Sequence, residues 1–276
     1  MSPSPEKAFG LAGVASGIRI DKLSEVRPIP PPDHPNNPKR DSVLLSSDHG
    51  PLPVLLLALT VVTGAVDAVS ILRLGRVFVA NMTGNVVFAG FAVVGAPGFA
   101  LGASLVALAG FIVGAAIGGW LADRFHADRA RLLLWACVAE VSLSGAALVT
   151  AASVANLASD GGRYSLSLLL ATAMGIQNAA ARHLAVPDLT TTVLTMTLTG
   201  MAADARHGNW RKPPLRRRFL AVAAMAGGAV AGAELVLRRG ATADLVLVTA
   251  ILGAVTLGAA ATSVRDHGAW RRPPKV

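Results

Sequence analysis

The feature that most limits this chain is the length of its uncharged stretches. From Val54 to Leu72, nineteen residues carry one charge, Asp67, and a hydrocarbon core about 30 Å thick takes roughly 20 helical residues to cross. Six further segments are apolar over a similar length, at about 77–95, 99–122, 132–157, 164–181, 219–237 and 244–264. Lipid offers backbone amides and carbonyls no partner, so each segment must satisfy them internally, as a helix. The composition agrees, with 53% hydrophobic and 15% charged residues against about a quarter charged in soluble domains. The expected fold class is therefore an all-α polytopic membrane protein of six to eight membrane segments.

An eighth stretch, about 189–203, holds six threonines in the eleven positions from Leu189 to Thr199. Each hydroxyl needs a partner in lipid, so this reads as a shielded helix or a re-entrant segment. Residues 1–50 are a different material, rich in proline and balanced in charge, without an apolar run of signal-peptide length. They read as a disordered tail, followed by a first membrane repeat over 51–160, a second over 161–265 and a basic tail over 266–276.

The repeat is visible inside the chain itself. Gly64-Ala65-Val66-Asp67-Ala68 returns as Gly175-Ile176-Gln177-Asn178-Ala179, at an offset of 111. Val79 to Asn85 returns as Thr191 to Thr197 at 112, and Gly110 to Gly114 as Gly228 to Gly232 at 118. Three matches in one order point to a duplication of the kind found in transporters.

Twenty-five Lys and Arg against sixteen Asp and Glu give a net charge of +9, which fits basic loops held on the cytoplasmic side rather than a nucleic-acid partner. If the Asn81 segment and its threonine-rich counterpart both dip in and return, six spans remain. Only Arg73, Arg76, Arg163, Arg238 and Arg239 then fall on the side opposite the main basic cluster. Seven spans with an external N-terminus score equally well, and charge does not separate the two. The six-span reading also gathers Trp120, Trp135, Trp210 and Trp270 at one interface, as an aromatic belt.

The run Gly64-x-x-Asp67-Ala68-x-Ser70, then Val77-Phe78-Val79-Ala80-Asn81-Met82-Thr83-Gly84-Asn85, and later Gly175-x-Gln177-Asn178-Ala179 and Thr191 to Thr195, resembles the YoaK family of bacterial multi-spanning membrane proteins. The resemblance covers about residues 52–264. It implies a bacterial inner-membrane location and brings no established activity. Where the family's second half reads Thr-Gly-Thr, this chain has Thr195-Met196-Thr197.

Candidate site residues follow from polarity inside apolar segments, where an ionisable side chain is unfavourable by about 2.5–3.5 kcal/mol. Asp67 is one, either functional or paired with Arg73 or Arg76 near the interface. Its repeat mate Asn178 would face it near the axis, with Gln177 beside it. Asn81, Thr83, Gly84 and Asn85 group three polar side chains around a glycine that allows the helix to break, and Thr191 and Thr195 offer hydroxyls in the second copy. An uncharged lining favours a neutral or weakly polar solute, although all these groups equally serve as bonds between helices. Glu140, deep in its span, is a candidate proton carrier. Glu234 and Asp244 read as interface charges. Gly110, Gly114, Gly118, Gly228 and Gly232 form small-residue stripes for helix packing, and a homodimer through them is a further option.

No Gly-x4-Gly-Lys-Ser/Thr, Gly-x-Ser-x-Gly or His-Glu-x-x-His run occurs, His residues are scattered, and the single Cys137 forms no intrachain disulfide or thiolate cluster. No cofactor or metal is expected, and no enzyme activity. The reading with most support is a transporter or channel for a small solute, sited between the two repeats and partnered by the bilayer. The alternatives are a membrane-embedded enzyme and a non-transporting scaffold or sensor.

Overall fold

The computed structural model describes residues 49–154, 159–186, 194–205, 213–265 and 268–272. Among them the regular structure is helical throughout: α1 (Leu52–Arg73), α2 (Met82–Val93), α3 (Leu101–Arg124), α4 (Arg129–Ser153), α5 (Asp160–Leu184), α6 (Leu194–Ala205), α7 (Pro213–Arg239) and α8 (Ala241–Arg265), then a 3-10 turn at Ala269–Arg271. Proline opens α1, where its missing N–H costs no bond. Asp128 caps α4 by accepting from the amides of Ala130 and Arg131, and the Ser159 hydroxyl caps α5. Five helices are long and apolar enough to cross a membrane: α1, α3, α4, α7 and α8. Although α5 carries charges at both ends, it is equally long and is packed by α1, α3 and α4, so fewer of its side chains need be apolar. Val86, Leu105, Ile112, Val149, Val230 and Leu257 point outward, while Thr63, Ser70, Asn85, Glu140 and Gln177 are buried. Polar inside and apolar outside is the pattern of a chain solvated by lipid.

Side-chain contacts show which helix ends lie together. At one end, Arg73 Nη2 donates to the Val236 carbonyl (3.1 Å), the Arg163 side chain lies over Gly75, Arg76 over Gly98 and the Tyr164 hydroxyl over Gly102. The C-terminal ends of α1 and α7 and the N-terminal ends of α3 and α5 therefore share this Arg73 end. At the other, Arg129 donates to the carbonyls of Leu184 and Trp270, and the Trp270 ring covers Gly50. The starts of α1 and α4 and the ends of α5 and α8 share this Arg129 end.

It follows that α2 leaves and returns to the Arg73 end. Its 12 residues, about 18 Å of helix, do not cross, so the apolar stretch at 77–95 is not a span. Likewise α6 lies between α5 and α7 on the Arg129 side. Seven crossings would set α1 and α7 antiparallel, and eight would put the end of α1 and the start of α3 at opposite ends. The contacts fit six.

The helix pairs in contact keep their pattern when α1, α2, α3 and α4 are exchanged for α5, α6, α7 and α8. Contacts α1–α7, α1–α8, α2–α3 and α3–α4 become α5–α3, α5–α4, α6–α7 and α7–α8, while α1–α5 and α4–α8 map onto themselves. Glycine contacts follow the same rule residue by residue. A Cβ on Gly64 would lie 2.2 Å from the Met225 oxygen and 2.7 Å from the Ala229 nitrogen; on Gly175 it would lie 2.2 Å from Phe111 and 2.8 Å from Ala115 at the same atoms. Gly228 meets the Val61 carbonyl at 2.0 Å, as Gly114 meets that of Thr172. Gly232 rests on Ala65, as Gly118 rests on Ile176. In packing, therefore, Gly228 and Gly232 correspond to Gly114 and Gly118. The match read from sequence, to Gly110 and Gly114, is one helical turn out of register. These stripes close the α1–α7 and α3–α5 seams inside one chain and are not free to pair a second copy.

Candidate functional site

Asp67 sits on α1 almost two turns before its end and is 7% exposed. Its carboxylate reaches neither Arg73, which bonds Val236, nor Arg76, which lies over Gly98. It instead accepts from the Ala80 amide at 3.2 Å, in the link between α1 and α2. Asn85, fully buried in α2, grips the same link: Oδ1 accepts from the Phe78 amide at 2.9 Å and Nδ2 donates to the Phe78 carbonyl. Two side chains thus satisfy backbone groups that no helix serves, as a buried link requires. Gly84 leaves room for the Phe78 ring, which would stand 2.4 Å from a Cβ there and stacks on Phe88 at 5.7 Å.

Between α1, α7 and this link runs a groove of about 350 Å³, lined by Gly64, Asp67, Ala68, Phe78, Met225 and Ala229, with Ile71, Leu72 and Ala233 completing its walls. Asp67 is the one polar side chain among them. A second groove of about 360 Å³ lies beside α6 and α7 near Met201, Arg216 and Phe219 and contains none of the residues singled out from sequence.

The other candidates are dispersed. Asn81 and Thr83 are exposed, and Asn81 precedes α2 without capping it. Thr191 lies outside the described residues, and Thr195 is exposed on α6. Asn178 donates to the Met174 carbonyl of its own helix at 2.8 Å. Asp67 and Asn178 do not meet: α1 and α5 run antiparallel, and the two lie on opposite sides of their crossing, on the order of 10 Å apart along the helix axis. The crossing itself is made by Gln177, whose Nε2 donates to Thr63 Oγ1 at 2.8 Å.

At the Arg129 end is a cluster not read from sequence. Arg271 bonds both oxygens of Asp128 and the Ser263 carbonyl. Trp270, 4% exposed, is buried rather than placed in an interfacial belt, whereas Trp120 and Trp135 are exposed; Trp210 lies outside the described residues. Partial burial pushes the Asp128 carboxyl up, but Arg271 and the amides of Arg131 and Ala130 outweigh it and hold it below its ordinary value. Asp244 is also misread as an interface charge. It is fully buried with both oxygens unpartnered, beside Gly232, while Glu234 is exposed and paired with Arg238. The missing side chain at Gly232 makes room for Asp244, a pairing across helices that no linear pattern reveals.

Six end-to-end helices with apolar outer faces and buried polar groups define a multi-pass membrane protein. The chain matches the family model described as "Protein of unknown function (DUF1275)" over residues 55–258, and it belongs to that family. It is 34% identical over 152 residues to the UPF0700 transmembrane protein YoaK of Bacillus subtilis (strain 168), a match covering 54% of this chain and 65% of that protein. No solved structure matches.

Proposed function

We propose that the protein is a transporter of the bacterial inner membrane for a small neutral or weakly polar solute, not an enzyme, with its solute site in the groove beside Asp67. One observation carries this reading. Asp67 is at once the only polar side chain among the described residues of the groove and the group that holds the Ala80 amide of the link. A solute donating a hydrogen bond to Asp67 competes with that amide, and Phe78, which belongs to both groove and link, moves with the outcome. Occupancy of the groove is thereby tied to the position of the segment that closes it. A volume of about 350 Å³ is near the low end for ligand sites and suits a small molecule.

The groove lies between α1 of the first half and α7 of the second, the place where two inverted halves of a transporter move against each other. We take the Arg129 end as cytoplasmic, because Arg124, Arg129, Arg131, Arg182 and Arg216 to Arg218 gather there. An acid/base pair for catalysis finds no support: α1 and α4, which carry Asp67 and Glu140, are not in contact. The test is swelling of proteoliposomes in a graded series of small solutes from urea and glycerol upward. The expected result is a rate above that of protein-free vesicles for part of the series, lowered at least tenfold by Asp67→Asn. Rates equal to protein-free vesicles for every solute would overturn the proposal.

A further inference from the structure

We propose that Glu140 and Ser144 form an exchangeable proton site at the centre of the bundle. It lies on helices other than those of the groove, and its use as a coupling site rests on the transport reading above. Glu140 stands near the middle of the 25-residue α4, so about 16–20 Å of helix separates it from either end. It occupies the centre of the buried face of α4, where that helix packs on α5 and α8. Its exposure is 0%, and neither carboxyl oxygen has a hydrogen-bond partner. One turn on, at i+4 on the same face, Ser144 is also fully buried with its hydroxyl unpartnered. Helical serines commonly settle on the carbonyl four residues back, as Ser142 and Ser153 of this helix do. Ser144 does not.

Charge decides what such a pair can hold. An ionised carboxylate without partner or water is strongly unfavourable in an apolar interior, and among the described residues no cation is set against it. From α4 itself, Cys137 lies one turn back, and Arg129 is about three turns away at the Arg129 end. The buried residues at about that level include Leu170, Ala173 and Gln177 on α5 and Leu252, Val255 and Ala259 on α8, none of them charged. The titratable residues of those helices lie toward their ends: Asp160, Arg163, Tyr164, Arg182 and His183 on α5, Asp244 and Arg265 on α8. α3 touches α4 only slightly. Three oxygens, two from Glu140 and one from Ser144, fall short of the six or more that hard cations take. A proton is the ligand that fits: it neutralises the carboxyl and supplies a donor for the hydroxyl oxygen. Its position, equally far from both ends, lets it exchange with either side as the halves move.

The test is infrared spectroscopy of the full-length protein in lipid nanodiscs, read at the carbonyl stretch of protonated carboxylic acids. The expected result is a band at neutral pH with a component that shifts within minutes in deuterated water and is lost in Glu140→Gln, apart from whatever buried Asp244 adds. Should that variant fail to fold, Asp67→Asn/Asp244→Asn removes the other two acids buried among the described residues, and the band should survive there. Absence of the band, no loss of its intensity in Glu140→Gln, or a band that shifts only when the protein unfolds would overturn the proposal. Swelling without an exchanging band would sink the proton site alone. An exchanging band without swelling would sink the transport reading alone.

Discussion

At the Arg129 end, the chain closes on itself with charge: Arg271 spans both oxygens of Asp128, Arg129 bonds two helix-terminal carbonyls, and Trp270 covers Gly50. At the Arg73 end, closure rests on two polar side chains, Asp67 and Asn85, holding a short link over an apolar groove. Both ends are built from corresponding helices, so the difference comes from what each half adds to the shared frame. The C-terminal turn gives one end a clamp, and the motif from Phe78 to Asn85 gives the other a short link held by two side chains. Under the transport proposal, a bundle so made is expected to open more readily at its Arg73 end.

Removing Arg129 should sharpen the contrast most. Arg129→Ala leaves the Leu184 and Trp270 carbonyls without their charged donor, a loss of about 2–4 kcal/mol, read as a fall in Tm on the order of 5–10 °C in detergent. Asp128→Ala and Arg271→Ala should each cost about 1–2 kcal/mol. A double-mutant cycle should return coupling of at least about 0.5 kcal/mol, whereas additive losses would mean the pair contributes nothing as a unit. Asn85→Leu should cost about 1–2 kcal/mol, because the Phe78 amide and carbonyl lose their partner. It should also speed hydrogen exchange in residues 77–81 while leaving 268–272 unchanged; equal changes at both ends would break the comparison.

The smallest effect is that of acid. Asp128 is held below its ordinary value, so its carboxylate contributes stability above the unfolded value of about 3.9, and that contribution is lost as pH falls through the lower, folded value. In a variant with Trp270 as sole tryptophan, iodide quenching should stay low at neutral pH and rise below about pH 4. Asp128→Asn should remove that step.

Much of the frame was legible in the sequence because lipid imposes it. Long apolar runs, the polar motif before α2 and the opposed basic residues are one-dimensional signals. Contacts decided what those signals left open. The register of the glycine stripes slipped by a turn because, in an Ala/Gly-rich helix, residues four apart share a face and match equally well. Asp67 was read as facing Asn178 because repeat mates were assumed to meet, whereas inverted mates lie on opposite sides of the crossing point unless they sit on it, as Gln177 nearly does. The clamp leaves no linear trace, because Asp128 and Arg271 are far apart in the chain.

One measurement bears most directly on the claim that a solute site opens between the halves. Ala229 lines the groove at the level of Gly64, near the middle of α1, and the only cysteine, buried Cys137, can be replaced by alanine. Ala229→Cys in that background should react with a membrane-impermeant maleimide from the Arg73 side, and with Arg271→Ala added it should also react from the Arg129 side. A thiol that stays unreactive from both sides in both proteins, while exposed Thr83→Cys labels, would contradict a solute path and leave a closed membrane scaffold in its place.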